Sequence, residues 1–187
     1  MVDSASGAVL LARHGETDDN RPPVRFQGWR DTPLNDTGRR QAHALAAQLT
    51  DRGIASIWSS DLSRARETAE IVARHLGLGV CLDARLREGN RGRWEGHLFP
   101  DVAREEPELF ARWEHAGRDW RFPGGESLQE HQDRVAACVE EVRITGRLPA
   151  LLVCHGGSIR VMLCRSDPRG LDAFTEYAIP NTGVFPL

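Results

Sequence analysis

Val9-Leu10-Leu11-Ala12-Arg13-His14-Gly15-Glu16 decides the fold, because four consecutive apolar residues give way abruptly to a charged, glycine-containing loop. So short and continuous an apolar run reads as a strand covered on both faces, the kind that parallel sheets bury. A counterpart lies near the other end. Ala150-Leu151-Leu152-Val153-Cys154 runs straight into His155-Gly156-Gly157-Ser158, and a helix carrying Ile159, Val161, Met162 and Leu163 follows. Between the two, Ile54 to Trp58 and Val80 to Leu82 read as a second and a third strand. Helical spacing links Ala42, Leu45, Ala46 and Leu49, with Asn35 as the cap and Gly53 as the end. It also links Leu62, Ala65, Ala69, Val72 and Leu76, with Ser60 or Asp61 as the cap and Gly77 as the stop. Ser127-Leu128-Gln129-Glu130 is a capping box, and the helix behind it sets Leu128, Val135, Cys138, Val139 and Val142 on one face before Gly146. Strands alternating with helices predict an α/β fold, a three-layer α/β/α sandwich whose central sheet is mostly parallel. Asn20 to Pro33 and Leu86 to Gly96 read as irregular loops, and residues 97–122, with Trp113 and Trp120, as a lid or insertion beside the sheet.

A chain of 187 residues, 40% hydrophobic and 27% charged, fits one domain spanning residues 1–187. No apolar run approaches the roughly 20 residues needed to cross a bilayer. Met1 to Gly7 has neither a basic start nor an apolar stretch of signal-peptide length, so the expected address is the cytoplasm. Cys81, Cys138, Cys154 and Cys164 lie far apart, without a CxxC pair, and read as buried thiols. A net charge of −3 gives no general attraction to nucleic acid or to an anionic membrane. The partner expected is therefore a small anionic molecule, neither nucleic acid nor membrane, met by a local cluster of arginines; a homodimer is left open.

In open α/β sheets, ligands gather beyond the carboxyl ends of the strands, where helix N-termini and loop amides converge. Those ends deliver Arg13 and His14, then Arg64 just past Ser60, then His155. Two guanidinium groups and two imidazoles make a pocket for a phosphate, since arginine pairs bidentately with its oxygens and stays charged. His14 is the candidate nucleophile, provided a backbone carbonyl holds one ring nitrogen as a donor and leaves the lone pair of the other facing phosphorus. His155 serves as a donor to the transferring oxygens, and Gly156 and Gly157 offer backbone N–H groups. Glu88, at the end of the third strand, is the candidate proton donor to the leaving alcohol, its pKa raised toward neutrality by the phosphate.

Five motifs stand in order along nearly the whole chain. They are Arg13-His14-Gly15-Glu16-Thr17 with Asn20; Ser59-Ser60-Asp61-Leu62-Ser63-Arg64-Ala65 with Thr68; Leu86-Arg87-Glu88 with Gly92-Arg93-Trp94-Glu95-Gly96; Pro123-Gly124-Gly125-Glu126-Ser127; and His155-Gly156-Gly157. Together they resemble the histidine phosphatase superfamily, also called phosphoglycerate mutase-like, and within it the short phosphatase branch. The resemblance implies a phosphohistidine on His14, phosphate contacts from Arg13, Arg64 and His155, support from Asn20, proton donation by Glu88, and no metal or organic cofactor. The full substrate-binding set expected is Arg13, Asn20, Gln27, Gly28, Arg64, His155 and Gly156. One departure stands out. The Asn20 to Gln27 loop is a residue longer than the pattern and holds Pro22-Pro23, and Asp19 occupies a place where tryptophan is common, which bears on contacts from Arg21, Arg25 and Gln27.

The expected activity is hydrolysis of small phosphate monoesters; the alternatives are mutase-type phosphoryl transfer and an inactive phospholigand-binding module. A metal hydrolase using His14, His155, Glu16 and Glu88 is disfavoured by the spacing and by the adjacent arginines. Gly124, Gly125 and Ser127 read as a turn and cap, Trp113 and Trp120 as packing, and Asn181 as either a turn residue or a ligand contact. His43, His75, His97, His115 and His131 have no motif behind them.

Overall fold

Side chains alternate across a strand, so a strand buried on both faces divides its residues between two helical layers. The computed structural model, which describes residues 8–187, shows that division; the stretch 1–7, read above for a leader, lies outside the described residues. Strands β1 (Val9–Arg13), β2 (Ser56–Ser59), β3 (Val80–Leu82), β4 (Ala150–Cys154) and β5 (Val184–Pro186) form one sheet in the order β3-β2-β4-β1-β5. The pairs β1–β4, β4–β2 and β2–β3 are parallel, and β5 is antiparallel to β1. On one face, Ala12, Ile57, Leu151 and Val153 pack against α1 (Asp36–Gln48) and α2 (Ser63–Leu76) through Leu45, Ala46, Ala69 and Val72. On the other, Val9, Leu11, Leu152 and Cys154 meet α5 (Leu128–Thr145) and α6 (Gly156–Cys164) through Val135, Val139, Val142 and Ile159. Each fully buried leucine or isoleucine contributes about 1.5–3 kcal/mol. The three-layer α/β/α architecture expected from the sequence is the one observed.

Caps and register position the site. Asn35 accepts from Gly38 N at 2.9 Å, and Ser127 and Glu130 close the capping box that starts α5. The cap expected for α2 is corrected: its N-cap is Leu62, without a side-chain bond, while Asp61 turns away to accept from Arg87 Nε at 2.7 Å. The β1–β4 register sets Arg13 opposite Cys154, so the next residue of each strand, His14 and His155, emerges at the same sheet edge. Strand β5 is one that the sequence pattern does not announce. Three residues ending on proline carry little strand signal, and Pro186 is tolerated because β5 is an edge.

Residues 97–122 hold α3 (Phe99–Glu105) and α4 (Pro107–Glu114). Their rings join a separate aromatic cluster, with Phe26 stacked on Phe99 at 4.1 Å and Trp94 against Trp120 at 5.8 Å. Trp120 is buried in this cluster, and Trp113 meets Phe26 edge-on at 4.9 Å.

Candidate active site

His14 leaves β1 into a loop braced from three sides. Gly15 N donates to Thr68 Oγ1 at 3.1 Å, Asn181 Nδ2 donates to His14 O at 2.9 Å, and the loop lies directly on α1. A Cβ on Gly15 would meet Gly38 O at 2.4 Å, so only glycine permits that approach. Asn181 is thus engaged by the loop backbone.

His14 Nδ1 lies 2.7 Å from Gly15 O. A carbonyl only accepts, so Nδ1 carries the proton and Nε2 carries the lone pair. Burial first, then the charges of Arg64 and Arg13, hold the imidazole well below its ordinary 6.5, against a smaller raising effect from the Gly15 bond. His14 is therefore neutral near pH 7. His155 lies edge-on to it, with ring centroids 5.1 Å apart, and burial followed by Arg64 and His14 depresses it too.

On His155 the engaged ring nitrogen is the other one, Nε2, and its partner is Ser60. Leu62 N donates to Ser60 Oγ at 3.3 Å, and Ser60 Oγ lies 2.9 Å from His155 Nε2. A hydroxyl donating to neutral Nε2 leaves the proton on Nδ1, as a donor. Ser60, read from the sequence as a possible helix cap, thus sets the role of His155.

Arg64 is fully buried, donating through Nη1 to Arg30 O and through Nη2 to Gly28 O, both at 2.8 Å. Burial pushes its pKa down to about 10, so it stays charged at neutral pH. Arg13 donates to Ile179 O at 2.6 Å. A cavity of ≈ 140 Å³ opens beside these groups, bordered among others by Arg13, Asn20, Gln27, Gly28, Glu88 and Gly156. A larger hollow of ≈ 510 Å³, between α4 and Asp172, shares none of these residues. Five buried donors around His14 and this cavity, Arg13 Nε, Asn20 Nδ2, Arg64 Nε, Arg91 Nη1 and His155 Nδ1, have no hydrogen-bond partner among the described residues. Unpaired buried donors are costly, and a ligand made of acceptor oxygens satisfies them.

Glu88 is held differently from the sequence expectation. Its Oε1 accepts from Gly89 N at 2.7 Å and faces Arg91 Nη2 at 3.2 Å, and its Oε2 accepts from Gly157 N at 3.0 Å. Burial pushes the carboxyl up, but Arg91, His131 and the two backbone donors outweigh it and hold it well below the usual carboxylate range. Without a bound phosphate Glu88 is a carboxylate. The Gly157 N–H, expected to face the phosphate, is spent on Glu88 instead. A Cβ at Gly157 would come within 2.2 Å of Glu88 Oε1.

The remaining expected contacts divide. Gly28 serves through its carbonyl, by holding Arg64. Gln27 donates to Thr17 Oγ1 at 2.6 Å yet borders the cavity, and Arg25 borders it while facing Asp19 at 3.7 Å. Arg21 pairs with Asp18 on the surface. Glu16 accepts from Asn35 Nδ2 at 2.9 Å, and among the described residues no cluster of His, Cys, Asp and Glu is placed to hold a metal ion.

Sequence reasoning missed Arg91, Arg134, Arg160 and His131. Arg134 on α5 donates to the carbonyls of Arg85, Arg87 and Glu88 and is itself held by Glu126. His131 Nε2 lies 3.0 Å from Ser158 Oγ, whose hydroxyl donates to Arg87 O. The Pro123–Ser127 motif thus acts structurally, by fixing Arg134 and through it the Glu88 loop. Arg160, four residues past Gly156 on α6, has the helical spacing that marks it for the same face.

The family model of the histidine phosphatase superfamily (branch 1) matches residues 9–187. The chain belongs to that superfamily. The probable phosphoglycerate mutase GpmB of Escherichia coli O1:K1 is 41% identical over 170 residues, covering 90% of this chain and 77% of the relative. A mycobacterial glucosyl-3-phosphoglycerate phosphatase, solved with VO3, superposes with a TM-score of 0.85 at 31% identity, covering 96% of this chain and 90% of the other. A putative alpha-ribazole-5'-P phosphatase of Escherichia coli K-12 does so at 0.84 with 25% identity, covering 97% and 89%.

Proposed function

We propose that the protein is a phosphomonoesterase that hydrolyses small phosphate esters through a phosphohistidine on His14. The observation that carries this is the ring of unpartnered donors beside a neutral imidazole whose Nε2 lone pair is free for attack. Arg13, Arg64, Asn20 and His155 Nδ1 bind the phosphate oxygens and take up charge as phosphorus becomes crowded. His14 Nε2 forms a bond to phosphorus while the bond to the ester oxygen breaks. Glu88 delivers a proton to that oxygen, having gained it because the nearby phosphate dianion raises its pKa. Water then attacks the phosphohistidine, Glu88 takes the proton of that water, and the N–P bond opens to return His14 to its starting tautomer. Gly15 O holds Nδ1 throughout.

Phosphoryl transfer of the mutase kind is the second reading, favoured by the name of the Escherichia coli relative. A phosphate-release screen over a panel of monoesters, with His14→Ala as the blank, tests the proposal. Release of phosphate by the wild type alone supports it; no release from any ester, or faster interconversion of phosphoglycerates than release, overturns it. Among the described residues no helix is long and apolar enough to cross a membrane. Cytoplasmic residence is part of the proposal and is supported by four free cysteines, three of them buried.

A further inference from the structure

Each backbone group of Gly15 and Glu16, the two residues after His14, has a hydrogen-bond partner. Gly15 N donates to Thr68 Oγ1, Gly15 O takes the Nδ1 proton of His14, and Glu16 O accepts from Asn35 N at 3.0 Å. The remaining group, Glu16 N, donates to Gln41 Oε1 at 2.8 Å. Gln41 lies outside the cavity lining, on α1. Asn35, Gly38 and Gln41 follow one another at intervals of three positions, so one strip of the helix meets the loop. Asn35 Nδ2 also donates to the Glu16 carboxylate. Gly38 lets the two segments close up, since a Cβ there would lie 2.1 Å from Glu16 O and 2.7 Å from Glu16 N. That approach brings the Gln41 side chain within reach of Glu16 N.

Gly15 O and Glu16 N belong to one peptide group and are coupled by its resonance. When the N–H end donates, electron density moves to the carbonyl oxygen, which then accepts more strongly. A continuous chain therefore runs from Gln41 Oε1 through Glu16 N–H and Gly15 C=O to His14 Nδ1–H, and ends on the Nε2 lone pair that attacks. As Nε2 bonds to phosphorus the imidazole becomes positive, and a charged donor holds its acceptor more tightly. The surroundings make this bond count. His14 is only 2% exposed, and Arg64 and Arg13 both oppose positive charge on its ring. The Gly15 carbonyl is the group in direct contact that favours that charge. In such a buried place polarisation along a chain of hydrogen bonds is worth more than in water.

We propose that Gln41 is a positioning residue for phosphoryl transfer: it polarises the Gly15–Glu16 peptide group, so that Gly15 O stabilises the positive charge that builds on the His14 ring as the N–P bond forms. The proposal rests on the phosphohistidine reading and deepens it. No bond to Gln41 is made or broken. The effect falls on one half of the reaction, because ring charge grows as the phosphohistidine forms and is discharged as the N–P bond opens. Weakening the chain therefore slows formation and leaves hydrolysis as fast or faster. A side chain that merely kept the loop in place would slow both steps together when removed.

Two variants of equal side-chain length test it: Gln41→Met removes the oxygen acceptor and Gln41→Glu keeps one. With an ester that the wild type hydrolyses, rapid quench in Gln41→Met is expected to show phosphohistidine forming about tenfold more slowly, the scale of loss of a group that polarises a reacting one. Its hydrolysis is expected to be no slower than in the wild type, and Gln41→Glu to restore formation. A proton–nitrogen-15 spectrum of the resting protein at pH 8 reads the chain itself. The His14 Nδ1 proton is expected to move upfield in Gln41→Met and to return to the wild-type position or beyond in Gln41→Glu. An unmoved Nδ1 signal, an unchanged rate of formation, or an equal slowing of both steps overturns the proposal. If Gln41→Met does not fold, Gln41→Glu decides alone, since its charged acceptor is expected to move the signal downfield and an unmoved signal counts against the chain. If no ester is turned over, the hydrolase reading fails, while the spectrum of the resting protein still upholds or overturns the chain.

Discussion

His14 and His155 are the same side chain in nearly the same place, and they differ in which ring nitrogen the protein engages. On His14, Gly15 O claims the Nδ1 proton and exposes a lone pair at Nε2. On His155, Ser60 Oγ occupies Nε2 and leaves Nδ1 without a partner among the described residues, the nitrogen that donates to phosphate in the proposed mechanism. Ser60→Ala is therefore expected to lower kcat/KM by about 10–100-fold, somewhat less than loss of a transition-state donor outright, with Ser60→Thr restoring part of it. A nitrogen-15 spectrum of the His155 ring checks the cause: the wild type shows the Nδ1–H form, and an unchanged tautomer in the alanine variant would refute it. Burial also makes the site sensitive to acid. His14, His131 and His155 are all depressed in the folded protein, so below about pH 6.5 the unfolded chain binds more protons than the folded one. Stability is then expected to fall as pH drops from 7 to 5, by up to about 1.4 kcal/mol per pH unit for each histidine. Glu88, depressed as well, adds a further loss below its ordinary value of 4.5. Urea titrations at several pH values check this, and a flat profile between pH 7 and 5 would contradict it.

At the scale of elements, what was legible in the sequence was whatever one strand or one helix determines by itself. The apolar runs of β1 and β4 announced themselves because both faces are buried, and their polar exits carried Arg13, His14 and His155. Gly77 and the Ser127 box gave helix ends through local backbone chemistry. What was not legible depends on two elements meeting. Arg91 and Arg160 look like ordinary surface charges until α6 and the Glu88 loop are set side by side. The depressed carboxyl of Glu88 likewise comes from Gly157 and Arg91, which no local pattern announces. Arg134 is the sharpest case, an α5 residue that holds three carbonyls of a distant loop. Arg134→Met is expected to leave those carbonyls and Glu126 unsatisfied, costing roughly 3–5 kcal/mol. It is also expected to lower kcat more than it raises KM, because Glu88 loses its setting. Chemical denaturation together with steady-state kinetics checks both; a stable variant with normal kcat would show that the loop holds itself. In the core, Leu152→Ala removes a fully buried side chain from the central strand and is expected to cost about 2–5 kcal/mol, read from the same denaturation curves.

For the whole molecule, the site is a small region of concentrated positive charge in a chain whose net charge is −3. Three layers are needed to assemble it: β1 and β4 bring the histidines together, α2 on one face brings Arg64, and α6 on the other brings Arg160. Ligand binding and folding are then linked, since a phosphate that fills the site stabilises only the folded chain. Inorganic phosphate at about a hundred times its dissociation constant is expected to add roughly 2.7 kcal/mol, seen as a Tm raised by about 5–10 °C over an equal ionic strength of chloride. The central claim, a covalent phosphoryl group on His14, is tested most directly by rapid quench of the enzyme during turnover, followed by peptide mass spectrometry under alkaline conditions. The account predicts one acid-labile phosphoryl group on the peptide containing His14, absent from His14→Ala together with turnover. Turnover that persists in His14→Ala, or a phosphoryl group on any other residue, would contradict it.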